Sequence, residues 1–538
     1  MERPNLPVEL LCQVLYLLEV DDLLRCGSVN RYFRNLVRES SRLQFTLELA
    51  KHRMLSLMPP AEFPSFSTRL KLLRDRERNW RSPEHWGEGQ KLTLPPTGTV
   101  YEFVGGYYAN GREDEHKVTS GISFFQLPST EPTNSEEPLK TWTHAMGGLK
   151  IVDFTFDPPQ DLLVLVTLAP AQCESVYQLH LRSFATNEPH PDSSLPMGIL
   201  PCLPKVTEHQ VPLETTGAVR VQVSGDLVAL LVKEVHDSVS AHLQIWNWRH
   251  GSHYSCAMAR MAGIEDFTFL SDFTFLIVRP SGRFECYTFE NPISYSTAPV
   301  LKSSYNLPPL QDGFMYWYIC MSSNPAPGQV PRGGEGTGNR VYYPRPDERI
   351  HACCLYIFKP TGPGDHHVHS FVFFLNVKIR SRQMHVRSLL VGVQTVPWEA
   401  WGPQNTRWFD EALSTDWQHA LYGLKTVECI DPFNPTLPRL GPAQRHLRLR
   451  DYNPYSLRAS AHENGEDESR WTRRIVTTPS TTPSRGVFMH DIVSSLPYSE
   501  VISKEKFNVT DVMMDDCRVL LMQRGKGGKL KGIDILMM

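Results

Sequence analysis

The sequence predicts an α+β multidomain chain with a small helical N-terminal domain, a helical linker and a large all-β domain. Two observations support this prediction. Apolar residues recur at helical spacing near the N-terminus, whereas from about residue 91 short alternating runs are separated by turn residues. The length of 538 residues also exceeds the size of one ordinary hydrophobic core. We predict domains at residues 1–42, 43–90 and 91–538.

The first predicted helix has one apolar face. Its apolar residues lie at i, i+1, i+4, i+5 and i+8, which is the spacing of a single helical stripe. Pro7 suits the first turn of this helix, because the missing N–H of proline removes no hydrogen bond there. The stripe consists of Leu10, Leu11, Val14, Leu15 and Leu18.

Two shorter helices are predicted after it. The carboxylates of Asp21 and Asp22 can accept hydrogen bonds from the free N–H groups of the second helix, and Gly27 is expected to end that helix. Ser28 is the predicted N-cap of the third helix. Three helices of this size have more apolar surface than they can bury, so part of it is expected to contact a partner. The apolar face of the third helix consists of Val29, Tyr32, Phe33, Leu36 and Val37.

The residues of these helices form blocks at fixed distances. In order, the blocks read Leu6-Pro7-x-Glu9-Leu10-Leu11, Val14-Leu15 with Leu18, Asp22-Leu23-Leu24-Arg25 and Val29-Asn30-Arg31-Tyr32-Phe33-Arg34. This pattern resembles an F-box. Two positions depart from the family motif, because Asn30-Arg31 replaces the usual Cys-Lys and Phe33 replaces the usual Trp. The alternative is an ordinary helical cap on the domain that follows.

The resemblance implies a function for the N-terminal domain. An F-box docks a Skp-type adaptor, which connects to a cullin and recruits a ubiquitin-conjugating enzyme. The chain would then be the substrate receptor of a Skp/cullin/F-box ubiquitin ligase, with an unknown protein substrate bound by its all-β domain. The sequence identifies no substrate-binding residue. The positions implied to bind the adaptor are Leu6, Pro7, Glu9, Leu10, Leu11, Leu15, Leu24, Val29 and Phe33.

Composition and charge restrict the classes of partner. A net charge of −3 gives no basic signature, so we expect no nucleic-acid partner. The 11 cysteines are scattered without a CxxC pair, as expected of reduced thiols inside a cell. No signal sequence is evident, and the longest apolar run, residues 162–170, is about half a membrane span. We therefore expect a soluble protein of the cytoplasm and/or nucleus, with no membrane partner.

Helical spacing continues beyond the F-box-like segment. One helix is expected over residues 43–58, before Pro59 and Pro60 break the pattern. Ser67 is expected to cap another helix, which ends before Pro83. These helices form the predicted linker. The basic residues of the second helix either face solvent or contact an acidic partner.

Four stretches of the all-β region share one order of strand, tight turn, strand, turn and strand. They cover residues 152–184, 219–248, 267–289 and 509–536. With a looser fourth strand, this is the order of a β-propeller blade. The pattern resembles WD-repeat-like propellers, although the Gly-His and Trp-Asp pairs of each repeat are missing. A pair of packed sheets, a β-sandwich, is the alternative.

We predict a propeller of seven blades. The last predicted blade lacks an outer strand, and the segment Lys91-Leu92-Thr93-Leu94 is expected to supply it. Closing the ring in this way removes exposed sheet edges. The predicted blades span residues 98–148, 149–213, 214–261, 262–310, 311–402, 403–505 and 506–538.

The sequence carries no catalytic, cofactor or metal signature. Residues 333–338 are rich in glycine but lack the Lys-Ser/Thr pair that binds phosphate. His366, His367 and His369 lie close together, but Asp365 is the only carboxylate nearby and no Cys lies at a zinc-finger spacing, so a surface loop is favoured over a metal site. No HExxH, GxSxG or Cys-based nucleophile pattern occurs. We therefore predict no enzymatic activity, no cofactor and no metal.

Two stretches are candidates for protein recognition. Trp398, Trp401, Trp408, Phe409 and Trp417 either form part of a recognition surface or pack between blades. Residues 445–450, with Tyr452 and Tyr455, either bind a phosphorylated or acidic segment or form a solvated outer strand. Two other functions remain open: an adaptor-bound scaffold that does not promote degradation, and an enzyme with its site in the propeller channel.

Overall fold

A computed structural model describes most of the helical region and of the all-β region. The glycine-rich residues 333–338 and the side chains of His366 and His367 lie outside the described residues. The described residues are 6–57, 65–81, 83, 86–93, 98, 100–113, 119–128, 140–204, 217–234, 241–250, 256–259, 263–289, 299–328, 342–360, 368–376, 395–409, 415–430, 443–460, 471–525 and 530–538.

Four helices form the N-terminal domain: α1 (Val8–Tyr16), α2 (Val20–Val29), α3 (Arg31–Glu39) and α4 (Ser41–His52). Their apolar faces meet in one buried cluster, because each helix has a single apolar stripe. Since α4 contributes to this cluster, the three predicted helices share their core with the start of the linker. The buried residues are Leu11, Leu15, Leu23, Leu36, Val37 and Leu43.

The ends of α2 and α3 differ from the prediction. Gly27 lies inside α2 and does not end it, and Ser28 donates its hydroxyl to the Leu24 carbonyl, 3.0 Å away, instead of capping a helix. Asn30 caps α3, because its side-chain oxygen accepts a hydrogen bond of 2.9 Å from the N–H of Phe33. The same residue ends α2 with an extended backbone, so the connection between the helices is short.

The predicted helix over residues 43–58 is shorter than expected. Arg53 has a φ of 57° and its N–H donates to the Ala50 carbonyl at 3.2 Å, which ends α4 at His52. The chain then forms β1 (Met54–Ser56), which pairs antiparallel with β20 (Tyr342–Pro344) of the all-β region. Helix α5 (Phe66–Arg81) follows and ends before Pro83, as predicted.

The first large sheet has eight strands in two consecutive halves. Each half has the strand order of one blade, and the pairing of Thr119 with Ile151 joins them. Short 3₁₀ turns at Pro158–Gln160 and Pro196–Gly198 lie in its loops. The strands are β3 (Tyr101–Val104), β4 (Tyr107–Glu113), β5 (Thr119–Gln126), β6 (Thr141–Ala145), β7 (Ile151–Asp157), β8 (Leu162–Leu168), β9 (Ser175–Ser183) and β10 (Ile199–Pro204).

Three sheets follow in sequence order. Helix α6 (Trp398–Asn405) links the second of them to the third. The first contains β11 (Gly217–Ser224), β12 (Leu227–Glu234), β13 (His242–Asn247) and β14 (Cys256–Ala259). The second contains β15 (Asp266–Ser271), β16 (Thr274–Arg279), β17 (Arg283–Thr288), β18 (Val300–Asn306) and β23 (Thr395–Val396). The third contains β19 (Met315–Ser322), β21 (Ile350–Phe358), β22 (Val368–Asn376) and β24 (Thr406–Phe409).

Two further large sheets complete the described all-β region. A six-stranded sheet contains β25 (Leu421–Tyr422), β26 (Lys425–Ile430), β27 (Ala443–Asp451), β28 (Trp471–Val476), β31 (Tyr498–Ser503) and β32 (Phe507–Val509). The last sheet contains β33 (Asp511–Met514), β34 (Arg518–Arg524), β35 (Leu530–Met537) and β2 (Gly87–Thr93). Helix α7 (Pro454–Ser460) follows β27, and β29 (Ser480–Thr482) pairs with β30 (Ile492–Ser494).

The strand that precedes the first blade closes the last one. β2 pairs antiparallel with β35, and Lys91 and Leu92 lie opposite Asp534 and Ile533. The prediction that this segment supplies the missing outer strand is therefore confirmed for residues 91–93, while Leu94 lies outside the described residues. Two distant parts of the all-β region are held together by one sheet.

The buried clusters show that the sheets form a ring. One cluster joins β8 to β12, the next joins β13 to β16, and the following ones join β17 to β21 and β22 to β34. A further cluster joins the last sheet to the first through Met513 and Phe103. Each sheet thus packs on two neighbours, which is the arrangement of a β-propeller and not of a β-sandwich.

The number of separate blades differs from the prediction of seven. Five sheets have the four to six strands of a single blade, and the remaining large sheet has eight. The difference arises because the first two predicted blades are joined by a backbone pairing that the strand pattern does not reveal. The structure therefore supports a propeller but not seven separate sheets.

The tryptophan-rich stretch belongs to the core. Trp398, Trp401 and Trp408 are buried where α6 packs on the sheets, and Trp417 is buried in the adjacent cluster. The ring of Trp408 stacks on that of Phe373 with 4.6 Å between centroids. Of the two readings of this stretch, packing between blades is the one that the structure supports.

Candidate functional site

The helical domain exposes a set of large apolar side chains within its first 29 residues. We call this set the helical-domain surface. Its members come from α1, from α2 and from the residues that flank them, and they are between 45% and 83% exposed. Large apolar side chains exposed in this number on so small a domain are typical of a binding surface. The helical-domain surface consists of Leu6, Val8, Leu10, Val14, Leu17, Leu24 and Val29.

The predicted adaptor-binding residues fall into two groups. Leu11 and Leu15 are buried in the core of the helical domain, and Phe33 is half-buried against it. These side chains hold the helices together, so the expectation that Leu11 and Leu15 offer surface to a partner is corrected. The residues that are exposed are Leu6, Pro7, Glu9, Leu10, Leu24 and Val29.

Sequence reasoning missed three members of the helical-domain surface, which are Val8, Val14 and Leu17. Val14 lies in the recognised stripe of α1, but spacing alone does not tell which side of a stripe faces the neighbouring helices. Val8 and Leu17 lie at the two ends of α1, where a short helix leaves its terminal residues uncovered. The signal available in the sequence was that these short helices carry more apolar residues than their small core can bury.

Buried charges join the linker helices to the propeller. The two ring nitrogens of His52 lie 3.1 Å from Glu48 and 3.3 Å from Glu77, and the Lys425 ammonium lies 3.2 Å from Glu77. Burial opposes the charged form of His52, but hydrogen bonds to the two glutamates raise its pKa. Burial also opposes ionisation of Glu77, but Lys425, His52 and Arg76 hold its pKa well below the usual value.

Helix α5 is bound to the ring by its last turns. The Asp516 carbonyl accepts hydrogen bonds from the Arg76 guanidinium at 2.7 Å and from the Trp80 indole at 3.2 Å. The Tyr342 hydroxyl donates to the Arg69 carbonyl at 2.8 Å. Because Trp80 is also buried in the apolar core between sheets, the helical domain is held at a defined place beside the ring.

A central channel of about 650 Å³ lies where the innermost strands meet. Residues from β3, β7, β11 and β19 line it, together with residues next to β25 and β33. Residues 324–328 line one end, where Ser224 donates its hydroxyl to the Pro327 carbonyl. Since β19 runs toward that end, Tyr318 in the first half of the strand lies toward the opposite end. We call this opposite end the mouth.

Four innermost strands carry a carboxyl group that is bound in the same way. Each carboxyl accepts a hydrogen bond of 2.8–2.9 Å from the N–H of the next residue. In sequence, the shared signal is an acidic residue directly before Phe or Val in an inner strand, and sequence reasoning did not use it. The four residues are Glu102 on β3, Asp153 on β7, Asp266 on β15 and Asp511 on β33.

Of these four carboxyls, that of Asp266 forms an ion pair with an arginine of the channel. Arg220 on β11 pairs with Asp266 and also donates to the Met321 carbonyl at 2.8 Å. Among the described residues, no Lys or Arg forms an ion pair with Glu102 or Asp153. Burial raises the pKa of Glu102 to about 8 and that of Asp153 to about 7, although backbone N–H groups partly oppose the shift.

A histidine with no hydrogen bond also lines the channel. His419 is 3% exposed, and neither of its ring nitrogens has a hydrogen-bond partner among the described residues. Its Nε2 lies 3.4 Å from the Glu102 carboxyl. Burial lowers the pKa of His419 to about 4, although Asp416 opposes this shift. The exposed Asp416 accepts a hydrogen bond of 2.7 Å from the Tyr101 hydroxyl.

Among the described channel residues, His419 is not hydrogen-bonded to a nucleophilic side chain. An activated nucleophile needs a hydrogen bond to a base, and His419 forms none with a described residue. The hypothesis of an enzyme with its site in the channel therefore gains no support from these contacts. What the channel offers is an excess of carboxyls.

The basic stretch over residues 445–450 lines a second cavity, a groove of about 480 Å³. Arg448 and Arg450 pair with Glu428, and Arg450 also lies 3.4 Å from Glu500. Tyr452 is buried in the core. Glu428 and Glu500 hold these arginines within the sheet, which supports a structural role for them. The three cations of Arg448, Arg450 and Arg474 share these two carboxylates, so the groove stays basic.

One group of described residues has ligand types suited to a metal: Asp515, Asp516 and Cys517, in the turn between β33 and β34. Asp515 already accepts hydrogen bonds from the Arg518 guanidinium at 2.8 Å and from the Cys517 N–H at 3.0 Å. These bonds account for its position as a turn residue. Among the described residues, no helix is both long and apolar enough to cross a membrane.

The fold and the helical-domain surface define an interaction protein in two parts, a helical docking domain and a β-propeller. Residues 4–45 match the family model described as F-box-like, so the chain carries an F-box-like domain ahead of its propeller. Both are typically non-catalytic interaction domains. The comparison with curated proteins finds no match.

The chain is also similar to a solved structure, the WD40 β-propeller domain of Doa1. The identity is 8% and the TM-score is 0.29, over 84% of this chain and 97% of that chain. At this identity and score the similarity adds nothing to the fold derived from the sheets and their cores.

Proposed function

We propose that this protein is the substrate receptor of a Skp/cullin/F-box ubiquitin ligase. The observation that carries the proposal is the helical-domain surface, which lies on the segment that matches the F-box-like model. A Skp-type adaptor would cover these apolar side chains, and their burial would provide the free energy of binding. The cullin and the conjugating enzyme would then follow through the adaptor.

The positions proposed to contact the adaptor follow from exposure. Leu10 and Leu24 are the central anchors, because each is large, apolar and about half exposed. Leu11 and Leu15 act indirectly by holding α1 in place, and Phe33 contributes the exposed part of its ring. The remaining proposed contacts are Leu6, Pro7, Glu9 and Val29, joined by Val8, Val14 and Leu17.

The proposed mechanism is positioning. The receptor raises the local concentration of a substrate lysine near a charged conjugating enzyme, and this requires a fixed distance between adaptor and substrate. The buried contacts of His52, Glu77 and Trp80 support such a fixed distance, because they tie the linker helices to the ring. A loose linker would allow many unproductive orientations.

Several finer features belong to the same proposal. We propose that the two halves of the eight-stranded sheet act as two blades, which with the other five sheets gives seven. The domain division at residues 1–42, 43–90 and 91–538 stays a prediction, as does a location in the cytoplasm and/or nucleus. The absence of nucleic-acid and membrane partners, of a cofactor and of enzymatic activity also stays a prediction.

Replacing Leu10 and Leu24 together by Asp tests the proposal. Each anchor at such an interface is worth about 1–3 kcal/mol, so the double variant should capture a purified Skp-type adaptor at least about thirtyfold more weakly. The measurement is the adaptor dissociation constant, with the melting temperature as a check on folding.

The matched control is Val493→Asp, which places the same charge at an exposed apolar position on the propeller strand β30. It should leave adaptor affinity unchanged. Unchanged affinity of the Leu10 and Leu24 double variant would contradict adaptor binding by this surface. If the adaptor binds but the double variant alters the half-life of no cellular protein, the scaffold function replaces the receptor function.

A further inference from the structure

Among the described residues, the inner wall of the propeller has more carboxyl groups than Lys or Arg partners. Burial favours the neutral form of Glu102 and Asp153, and a cation placed beside them would favour the ionised form. Glu102, Asp153 and Asp416 line the channel, and none of them forms an ion pair with a Lys or Arg among the described residues. The guanidinium of Arg220 is already used by Asp266. His419 is neutral near pH 7 because burial lowers its pKa to about 4. The wall therefore lacks the cation that its carboxyls would accept.

The spacing of the described channel carboxyls does not suit a metal ion held by three protein ligands. Among the described residues, the only three ligand groups that come within 4.8 Å of one another are those of residues 515–517. The channel carboxyls are thus spread too widely to coordinate one ion together. A cavity of about 650 Å³ is instead large enough for an amino-acid side chain and part of its backbone.

Strand β19 brings Tyr318 to the lining of the channel, and Trp317 and Met315 lie on the same strand outside that lining. Tyr318 is 41% exposed and Trp317 is 57% exposed, and Met315 lies exposed on the same strand. The Lys233 ammonium lies 4.4 Å from the centre of the Tyr318 ring, which shows that this ring accepts a cation. A chain that enters the mouth would meet these side chains before it reaches the carboxyls.

A second and independent observation points into the channel. The buried ring of His419 has no hydrogen-bond partner among the described residues, although its Nε2 lies close to Glu102. A buried polar group of this kind costs free energy until a partner is supplied. A peptide backbone carbonyl can accept from the protonated ring nitrogen, and a peptide N–H can donate to the other.

We propose that the mouth of the channel binds a protein segment by inserting one of its Arg or Lys side chains between Glu102, Asp153 and Asp416. The neighbouring residues of the segment would lie on Trp317, Tyr318 and Met315. This inference deepens the proposed function, on which it rests for naming the segment a part of the substrate. The channel would thus select a basic residue, whereas the basic groove at Arg448 and Arg450 would select an acidic one.

The test uses the full chain and capped nonapeptides of Ala and Gly that differ only at the central residue, which is Arg, Lys, citrulline or Glu. Citrulline keeps the shape of Arg without its charge. We expect saturable binding of the Arg or Lys peptide at least tenfold tighter than that of the citrulline and Glu peptides, measured by calorimetry. Equal binding of the Arg, Lys and citrulline peptides, or no saturable binding of a cationic peptide, would overturn the inference.

Variants locate the site. Glu102→Gln combined with Asp153→Asn should weaken binding of the cationic peptide at least tenfold, and Asp416→Asn alone should weaken it less. The control combines Glu399→Gln with Asp312→Asn, which removes two exposed carboxyls elsewhere on the ring and should change nothing. An equal loss in the control, or no loss in the channel variant, would also overturn the inference.

Two further measurements separate the possible failures. Spermidine should bind more weakly than the Arg peptide and should not depend on Trp317, whereas the peptide should lose affinity in Trp317→Ala. Spermidine binding as tight as that of the peptide would overturn the assignment to a protein segment. Adaptor capture by the channel variant should equal that of the unmodified chain, so loss of peptide binding with intact capture leaves the proposed receptor function standing.

Discussion

The helical-domain surface and the propeller channel differ in what they leave unsatisfied: apolar side chains in the first and buried carboxyl groups in the second. The helical domain leaves large apolar side chains in water, and the channel places carboxyls where burial raises their pKa. In both regions the isolated chain carries a cost in free energy that a partner would remove, by covering apolar area in the first and by supplying positive charge in the second. The kind of cost therefore indicates the kind of partner.

The largest expected effect separates two neighbours on α1. Leu11→Ala should lower the free energy of unfolding of the helical domain by about 2–5 kcal/mol, because Leu11 is buried in the core. Leu10→Ala should change stability by about 0.5 kcal/mol or less, because Leu10 is exposed. Denaturant unfolding followed by a probe on the helical domain measures the difference.

The two variants should rank in the opposite order in their effect on adaptor affinity. At a temperature where both variants are folded, Leu10→Ala should weaken adaptor capture more than Leu11→Ala does. Equal losses of stability in the two variants would break the comparison, because it would mean that the helical-domain surface is part of the core.

A smaller effect is expected where helix α5 contacts the propeller. Lys425→Met removes one cation from the buried Glu77 but leaves His52 and Arg76 beside it. We expect a loss of about 1–3 kcal/mol, with faster hydrogen exchange in α5 and unchanged affinity for the adaptor. The control is the exposed Lys504→Met. Unchanged exchange in α5 would show that Lys425 does not hold the linker to the ring.

The smallest expected effect is a pH dependence of the channel. Because the pKa of Glu102 is raised from 4.5 to about 8, its neutral form favours the fold, and that stability is lost as the pH rises through about 8. Glu102→Gln stays neutral and should melt roughly 1–3 °C higher than the unmodified chain at pH 9. The difference should vanish below pH 4.5.

Burial is the largest cause of the raised pKa of Glu102, and the N–H of Phe103 opposes it. Asp153 raises this pKa further, whereas Thr155 and Arg220 lower it. Melting curves from pH 4 to pH 9 measure the effect. A gain that is the same at every pH would show that packing, and not ionisation, distinguishes the Gln variant.

Much of the helical domain could be predicted from the sequence, because helical spacing and block distances are local signals. The N-cap was placed at Ser28 when it is Asn30, since both residue types cap helices and only the backbone decides. The burial of Leu11 beside the exposed Leu10 depends on where α4 packs, which the stripe does not reveal. The match to the F-box-like model confirms the resemblance but not the individual contacts.

The propeller was predicted from its repeated strand order, and the closing role of residues 91–93 from the missing outer strand. The channel could not be predicted, because Glu102 on β3, Asp153 on β7 and the turn that carries Asp416 and His419 are far apart in sequence and form no linear motif. The pairing that merges the first two predicted blades involves one residue pair, Thr119 and Ile151, which no strand pattern marks. Contacts between distant residues are what the sequence left out.

The pairing of β2 with β35 has a consequence for how the protein is made. The ribosome delivers β2 long before β35, since Leu92 must wait for Ile533. Until then the helical domain can fold alone, while the growing sheets expose an unpaired edge at each end. Ring closure is thus a late and non-local step, which slows folding. Any partner bound to the early helices would be in place before the propeller ring had closed.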